Sequence, residues 1–215
     1  MKNSEGIEQK LLERIKLCKL PPPQRRSLPF ECYWEDSILI QEQKLIFSNQ
    51  WLGLGRTDRL ENPGEYEVFE LCGQALVLIR DQDKVLRLYA NTCRHRGAKL
   101  LDGTGQCQAI SCPFHGWTYT LDGNLKYAKT MSENPNFDFS EHSLIEYKLK
   151  ELQGFLFAFL GNQPTDLDTQ LGNFSELHQP WSLNELITTR REVFEVQCNW
   201  KAFLDVFNEY YHLNN

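Results

Sequence analysis

Apolar residues in the first fifty positions of the chain follow a helical period. One set, spaced as on a single face of a helix, consists of Ile7, Leu11, Leu12 and Ile15. This set predicts an amphipathic helix that ends before Pro21, the first of three consecutive prolines. A second helical pattern covers residues 36–47, with Asp36 as its N-terminal cap. Residues 1–50 are therefore predicted to form an N-terminal helical segment.

The period of the pattern changes to two from about residue 65 onward. Alternating runs that are separated by turn-forming residues predict short antiparallel strands at residues 66–71, 75–79, 85–89, 108–111, 117–121 and 154–160. Pro63-Gly64 and Asp122-Gly123 are typical turn sequences between such strands. Residues 51–161 are therefore predicted to form a compact all-β domain.

The composition becomes polar after Gly161, which indicates a domain boundary. A short segment around residues 167–181 follows. Next comes a strand-like alternation at residues 189–196, and a helix is predicted to begin near Asn199. Residues 162–215 are therefore treated as a third segment.

Composition and charge narrow the class of protein. The chain has 215 residues, of which 41% are hydrophobic and 24% charged, a mixture typical of a globular protein with a sizeable core. The formal net charge of -6 argues against a nucleic-acid partner. The longest apolar run, residues 155–160, is too short to cross a bilayer, and the N-terminus lacks the apolar stretch of a signal peptide. We therefore expect a cytoplasmic protein that binds neither membrane nor nucleic acid.

Two cysteine–histidine arms carry the strongest chemical signal. The seven cysteines form an odd, unevenly spaced set, which favours metal ligation over a disulfide framework. Two of them open the arms Cys93-x-His95 and Cys112-x-x-His115, with sixteen residues between His95 and Cys112. This pattern suits a Rieske 2Fe-2S cluster, in which two thiolates hold one iron and two imidazoles hold the other. A Cys2His2 zinc site and ordinary core packing are the less favoured alternatives.

The arms and their flanks resemble the Rieske domain of the Rieske non-haem iron oxygenases. The segments that carry the resemblance are residues 93–98 and 112–117, supported by residues 55–56, 63–66, 78–81 and 121–125. The similarity extends over most of residues 36–215. It implies an α+β fold: a mainly antiparallel β Rieske domain with N-terminal helices, followed by the start of an α+β catalytic domain. It also implies that the cluster ligands are Cys93, His95, Cys112 and His115.

Rieske proteins of respiratory and photosynthetic cytochrome complexes are similar to this sequence only at the predicted ligands. Those proteins carry two further cysteines, which bridge the two loops, where this chain has Ala98 and Phe114. They also carry a serine that donates a hydrogen bond to a cluster sulfur, where this chain has Trp117, although Tyr119 is kept. Because loss of a donor makes reduction less favourable, we expect a reduction potential near the low end of the Rieske range, about -150 mV.

A second group of polar residues lies near the C-terminal end. Asp205, Glu209 and His212 are spaced by four and three residues, so they share one face of a helix. On its own, such a stripe is more typical of a solvated face. By the resemblance, His212 is a ligand of a mononuclear iron, Glu209 is the carboxylate that bridges the two metal centres, and Asp205 is a supporting residue. The remaining ligands of that iron would lie beyond this chain, which therefore resembles the N-terminal half of an oxygenase α subunit.

The resemblance implies an iron-dependent oxidoreductase. Electrons from a reductase or ferredoxin would enter the 2Fe-2S cluster and pass to a mononuclear Fe(II) that activates O2. The outcome would be hydroxylation or oxidative demethylation of a small organic substrate, either an aromatic ring, as in the dioxygenases of the family, or a quaternary ammonium compound. The resemblance also implies a homotrimer. The main alternative is a Rieske electron-transfer protein without oxygenase activity, but such a carrier has no use for residues 199–212.

Several other residues near the arms allow two interpretations. Arg94 and Arg96 suit either a reductase-docking surface or solvated loop charges. Trp117 and Tyr119 suit either a cover over the cluster or ordinary core packing. His142 and His178, which lack a partner motif, are expected to have surface or capping roles, as are most isolated histidines.

Overall fold

The computed structural model describes residues 4–208, and it describes side chains from residue 9 onward except that of residue 132. The chain divides into two compact units. One joins the residues up to Glu42 with those from Glu192 onward, and the other is Gln43–Arg191. The domain boundaries predicted after residues 50 and 161 stay predictions.

Five α-helices lie within residues 4–208: α1 (Ser4–Leu17), α2 (Asp36–Leu45), α3 (Leu167–Leu171), α4 (Phe174–His178) and α5 (Trp200–Asn208). The predicted N-terminal helix is confirmed as α1. Helix α2 ends two residues earlier than predicted because polar side chains take up its last carbonyls. Ser48 Oγ donates to Gln43 O at 2.7 Å, and Asn49 Nδ2 donates to Lys44 O at 3.0 Å. None of the described helices is long and apolar enough to cross a membrane.

Ten strands follow one another along the second unit: β1 (Trp51–Arg56), β2 (Glu65–Leu71), β3 (Gln74–Arg80), β4 (Leu86–Ala90), β5 (Thr104–Gln106), β6 (Ile110–Ser111), β7 (Thr118–Tyr119), β8 (Leu125–Tyr127), β9 (Glu146–Leu152) and β10 (Phe155–Phe159). Seven of them form one antiparallel sheet in the order β1-β10-β9-β4-β3-β2-β5, and β6-β7-β8 form a small second sheet. The predicted antiparallel β domain is thereby confirmed.

Strand β3 lies inside the large sheet, between β4 and β2, and its residues 76–79 are completely buried. Because successive side chains of a strand point to opposite faces, this run serves two cores. Leu76 and Leu78 pack with Leu88, Leu156 and Ala158. Val77 and Ile79 pack on the other face, with a cluster that includes Tyr89, Ile110, Cys112, Trp117 and Tyr119. The predicted metal-binding arms therefore rest on a rigid sheet.

The two arms lie on loops that flank this core. The first arm lies in the connection between β4 and β5, and the second joins β6 to β7. Strand β7 pairs with β6 through Ile110–Tyr119 and Ser111–Thr118. The second arm is therefore a hairpin loop whose ends are set by the register of two very short strands.

Four strands are absent from the sequence prediction: β1, β5, β8 and β9. Strand β9 carries a period-two pattern, with Tyr147 and Leu149 facing partly inward between lysines, so the sequence does carry a signal for this strand. Strand β5, which is Thr104-Gly105-Gln106, has no apolar residue, and its place depends on pairing with β2. Strand β8 is three residues long and follows the turn at Asp122-Gly123. Short polar strands of this kind are set by tertiary pairing and not by local preference.

The strand predicted at residues 189–196 is wrong. These residues have no regular secondary structure, and the side chains of Val193 and Phe194 are largely exposed. Within residues 4–208, no strand pairs with this segment. An alternating pattern marks a surface that suits a sheet, but a strand forms only where a neighbour satisfies its backbone groups.

One glycine holds the end of β3 against the segment after β5. Gly64 has φ +84°, its N–H donates to Arg80 O at 2.8 Å, and its carbonyl accepts from Cys107 N at 3.0 Å. A Cβ at this position would collide with the carbonyl oxygen of Cys107.

We expect Gly64→Ala to lower the free energy of unfolding by about 3 kcal/mol, because backbone strain and overpacking add. Equilibrium urea denaturation measures this loss.

A matched control separates the two causes. Gly103 also has a left-handed conformation, with φ +57°, but a Cβ there would meet no atom within 4 Å. Gly103→Ala is therefore expected to cost only the strain, about 1–2 kcal/mol. Equal losses in the two variants would contradict the close approach of Gly64 to Cys107.

Candidate metal centre

The first arm is a tight loop closed by its own backbone. The N–H of Cys93 donates to Ala98 O at 2.8 Å, and the N–H of Gly97 donates back to Cys93 O at 2.9 Å. Gly97 has φ +71°, a conformation that other residues rarely adopt. A side chain at Gly97 would meet no atom, so it is the backbone conformation that requires glycine here.

The second arm repeats this loop. The N–H of Cys112 donates to Trp117 O at 2.7 Å, the N–H of Gly116 donates to Cys112 O at 3.0 Å, and Gly116 has φ +69°. In both loops the glycine follows the cysteine by four residues. The only offset is the histidine, which stands two residues after Cys93 but three after Cys112. Two copies of one loop therefore present their imidazoles at slightly different positions.

The fold brings all four predicted ligands together. Cys93 and Cys112 are buried, at 3% and 4% exposure, and both belong to the same buried cluster beneath β3. The rings of His95 and His115 are 4.9 Å apart between centroids, with His95 half-buried and His115 exposed. Two thiols inside and two imidazoles outside fit the donor set of a binuclear cluster that has unlike irons.

A single tetrahedral metal ion fits this arrangement less well. Within residues 4–208, no three side chains of His, Cys, Asp or Glu converge on one point where a metal ion could sit. A zinc site needs all four ligands around one ion, whereas a 2Fe-2S cluster needs only two protein ligands for each iron. The separation of two buried thiols from two outer imidazoles therefore matches the donor set of the cluster.

Tyr119 supports the first cysteine. Its buried hydroxyl accepts a hydrogen bond from Arg94 N at 3.0 Å and lies 3.3 Å from Cys93 Sγ. Because the oxygen already accepts from Arg94, its proton is free to point at the sulfur. Burial, followed by the neighbouring Cys93, raises the pKa of Tyr119 well above its ordinary value, so the phenol stays a donor.

Trp117 packs in the core, which was one of its two interpretations, and it also contacts a predicted ligand. It is 4% exposed and belongs to the core below β3, and its indole also stacks on the ring of His95 at 4.9 Å with an interplanar angle of 10°. Phe114 lies over His115 at 4.0 Å and is 66% exposed. One imidazole is therefore backed by a buried ring, and the other is flanked by a ring on the surface.

The charge around the histidines is positive. Arg94 and Arg96 are both exposed, which leaves their docking and solvation readings open. The pKa of His95 is lowered, first by its partial burial and then by the positive charges of Arg96 and His115. The neutral imidazole, which is the form that binds metal, is thereby favoured at His95.

The second predicted group is only partly described. Asp205 lies on α5, where its carboxylate accepts a hydrogen bond of 2.7 Å from Tyr33. This bond, more than burial, raises the pKa of Tyr33 to about 12. Glu209 and His212 lie outside the described residues, so their predicted roles stay predictions.

The first turn of α5 is held by an ion pair. Lys201, which is buried, donates from Nζ to Glu42 Oε2 at 2.7 Å, and Trp200 Nε1 donates to the same oxygen at 2.9 Å. Together with the bond between Tyr33 and Asp205, these contacts hold α5 in place. Sequence spacing gave no signal for either partner, because Tyr33 and Glu42 are more than 150 residues away along the chain.

Comparison with known proteins finds a match to one family of domains and relatives that align over most of the chain. Residues 50–146 match the family described as the Rieske [2Fe-2S] domain. Over 189 residues the chain is 34% identical to the carnitine monooxygenase oxygenase subunit of Acinetobacter baumannii, an alignment that covers 86% of this chain and 51% of that protein. It is 30% identical over 190 residues to the glycine betaine monooxygenase oxygenase subunit of Chromohalobacter salexigens, covering 87% and 42%.

Solved structures of related proteins show the same similarity. A quaternary ammonium Rieske monooxygenase in complex with L-carnitine superposes with a TM-score of 0.79 at 33% identity, covering 86% of this chain and 54% of that one. The chain belongs to the Rieske oxygenase α-subunit family. It spans about half the length of the family members it matches. Naphthalene 1,2-dioxygenase from Rhodococcus, with a TM-score of 0.71 at 23% identity, shares the fold.

Family membership confirms part of the sequence prediction. The α+β fold with an antiparallel Rieske domain is confirmed, and so is the 2Fe-2S cluster as the cofactor of that domain. The assignment of individual ligands stays a prediction, which the geometry of the two loops supports. Sequence reasoning did not find that His142 contacts Trp117, because 25 residues separate them and neither motif implies the other.

Tyr119 gives a direct test of the donor to Cys93. Removing its hydroxyl takes a hydrogen bond from the cysteine sulfur, which makes the added electron less favourable. We expect a wild-type potential of about -150 mV and a lower potential in Tyr119→Phe, both measured by redox titration of the visible absorption. Tyr127→Phe removes the same group from a tyrosine that is 53% exposed, on β8. A potential that shifts equally in both variants, or in neither, would contradict the proposed bond.

Proposed function

We propose that this chain is part of an oxygenase α subunit that takes electrons from a reductase or ferredoxin and directs them to O2 activation on a quaternary ammonium substrate. The observation that carries the proposal is the pair of matched loops, because they gather two thiols and two imidazoles at the edge of a Rieske domain. Relatives with more than 30% identity are named carnitine monooxygenase oxygenase subunits, which supports the oxygenase role.

Within this proposal Cys93 and Cys112 hold one iron, and His95 and His115 hold the other. When bound, the cluster supplies one-electron transfer. The protein supplies the surroundings: Tyr119 keeps a proton directed at Cys93 Sγ, and burial of both cysteines excludes water from the sulfur side. The outward-facing imidazoles offer the shortest path for an electron to leave the domain.

The electron acceptor belongs to the part of the proposal that rests on sequence. His212 is proposed to bind a mononuclear non-haem iron, and Glu209 to connect it to a cluster histidine of a neighbouring copy in a homotrimer. Asp205, which precedes Glu209 by four residues in the sequence, is proposed to be a supporting residue for these two. Tyr33 and Lys201 support that role, because they anchor the helix that carries Asp205.

The substrate class follows the names of the relatives. Carnitine, glycine betaine and choline, named for three of the matched enzymes, are all quaternary ammonium compounds. The naphthalene dioxygenases match at 25% identity or less and support no more than the shared fold. Hydroxylation or oxidative demethylation of a quaternary ammonium compound is therefore proposed in place of aromatic ring hydroxylation. A cytoplasmic location is part of the proposal, since the electron donors of such enzymes are expected there.

A Rieske electron-transfer protein without oxygenase activity is the second candidate. One observation favours it: the match to the Rieske domain covers residues 50–146, which include both cluster loops, and a carrier needs no more than that domain. Against it stands α5, which is fixed by the Tyr33 and Glu42 contacts that a pure carrier would not require.

Oxygen consumption separates these candidates. The protein from the full reading frame that encodes this chain is assayed with NADH and a ferredoxin-type reductase, using carnitine, glycine betaine, choline and naphthalene as probes. We expect substrate-dependent O2 uptake with at least one quaternary ammonium probe and none with naphthalene. Reduction of the cluster without uptake for any probe would support the carrier, and uptake with naphthalene alone would overturn the substrate class.

The ligand assignment has its own test. Cys112→Ser should abolish the visible absorption of the cluster and lower the bound iron, because serine offers no soft thiolate ligand. Cys107→Ser is the matched control, since Cys107 is a partly buried free thiol five residues away that belongs to neither loop. The assignment predicts that the Cys107 variant keeps its spectrum. A cluster that survives in Cys112→Ser would contradict the assignment.

A further inference from the structure

The segment that carries the cluster loops is positively charged, although the chain as a whole is acidic. Residues 93–130 contain five arginines and lysines against two acidic residues, whereas the whole chain has 23 against 29. Lys99, one of the five, forms an ion pair with Asp102. Arg94 and Arg96 are exposed, and within the part of the chain that the structure describes neither guanidinium forms an ion pair or a hydrogen bond. The first loop therefore presents two free cations beside a predicted ligand.

An exposed aromatic ring lies next to these cations. Phe114 is 66% exposed, and its ring is 4.0 Å from that of His115. The ring of His115 is in turn 4.9 Å from that of His95, the residue between the two arginines. Five neighbouring residues thus form one surface, which we call the cluster face: Arg94, His95, Arg96, Phe114 and His115. Aromatic residues and arginine are the types that are enriched at protein–protein interfaces.

An electron reaches the predicted cluster by the shortest route through this face. Cys93 and Cys112 are buried, so only the two imidazoles connect the predicted ligands to the surface. Because the rate of electron transfer falls steeply with the gap between two redox centres, a donor protein has to dock close to one of these rings. The contact with Glu209 that we propose above needs only one cluster histidine, which leaves the other for the donor.

We propose that the cluster face is the docking surface for an electron-donor protein whose redox centre is surrounded by acidic residues. Phe114 is the apolar anchor, and Arg94 and Arg96 are the charged contacts. The inference rests on the proposed function, which supplies the donor. Because the rest of the chain is acidic, such a donor is repelled elsewhere and steered to the cluster face. A small contact of this kind suits a redox complex, which has to dissociate after each electron.

The test measures binding of the cluster-loaded chain to a plant-type 2Fe-2S ferredoxin of net negative charge, with both proteins oxidised so that no electron moves. Isothermal titration calorimetry at low ionic strength gives the dissociation constant. We expect it to rise about tenfold in Phe114→Ala, which removes the anchor. Arg94→Gln and Arg96→Gln should each raise it about threefold, because each removes one screened surface charge. Added salt should weaken binding of the wild type.

Two matched controls lie outside residues 93–130. Lys44→Gln removes one positive charge from an exposed position on α2, and Phe30→Ala removes a phenyl ring that is 72% exposed. Both variants should bind the ferredoxin as the wild type does. Cytochrome c, a one-electron protein of net positive charge, should not bind the wild-type chain, since the cluster face repels it.

The inference is overturned if the wild type does not bind the ferredoxin, or if the controls weaken binding as much as the cluster-face variants do. Self-association that these variants abolish, with unchanged ferredoxin binding, would assign the face to a second copy and overturn it as well. Sedimentation velocity measures that self-association.

Binding between oxidised proteins needs no oxygenase activity, so the inference and the proposed function fail separately. If no probe gives O2 uptake but the cluster-face variants weaken ferredoxin binding, the oxygenase function fails and the docking surface stands. If uptake with a quaternary ammonium probe is present but the variants bind the ferredoxin as the wild type does, the inference alone is overturned.

Discussion

The metal centre depends on one backbone constraint that the chain uses twice. In each loop, the N–H and the C=O of the cysteine are both engaged inside the loop, and a glycine of positive φ closes the turn. With its backbone groups held in this way, the cysteine keeps its sulfur buried, while most of the residues between the cysteine and the glycine are exposed to solvent. The same loop conformation thus places the sulfur donors inside and the nitrogen donors outside. The two irons of a Rieske cluster, which have different ligands, require that separation.

The two loops are tied to each other by aromatic residues. Tyr119, on the strand that follows the second loop, contacts both Cys93 and Arg94 of the first loop, and Trp117 stacks on His95. Both residues are anchored in the core beneath β3. In Rieske proteins that bridge their loops with a disulfide, a covalent bond makes this connection. Here Ala98 and Phe114 stand where those proteins have the bridging cysteines, so no such bond can form. Packing against the sheet holds the two loops together instead.

The periodicity of the sequence was enough to predict elements that form by local preference and burial, such as α1 and the hairpin of β2 and β3. The loop cysteines and histidines were also predictable, because a binuclear cluster demands those residue types at close spacing. Contacts between distant positions were not: the hydroxyl of Tyr119 over Cys93, Tyr33 beside Asp205, and His142 behind Trp117. Such contacts depend on how strands pair in space, and the strand wrongly expected at residues 189–196 has the same origin, since its pattern lacks a partner within residues 4–208.

The central claim is that two copies of one loop present unlike donors to two irons, and Mössbauer spectroscopy of the chain loaded with iron-57 tests it most directly. After reduction by one electron, we predict two quadrupole doublets of equal area, one from a ferric site held by Cys93 and Cys112 and one from a ferrous site held by His95 and His115. A spectrum in which both irons are equivalent, or one that shows a single mononuclear iron, would contradict the account.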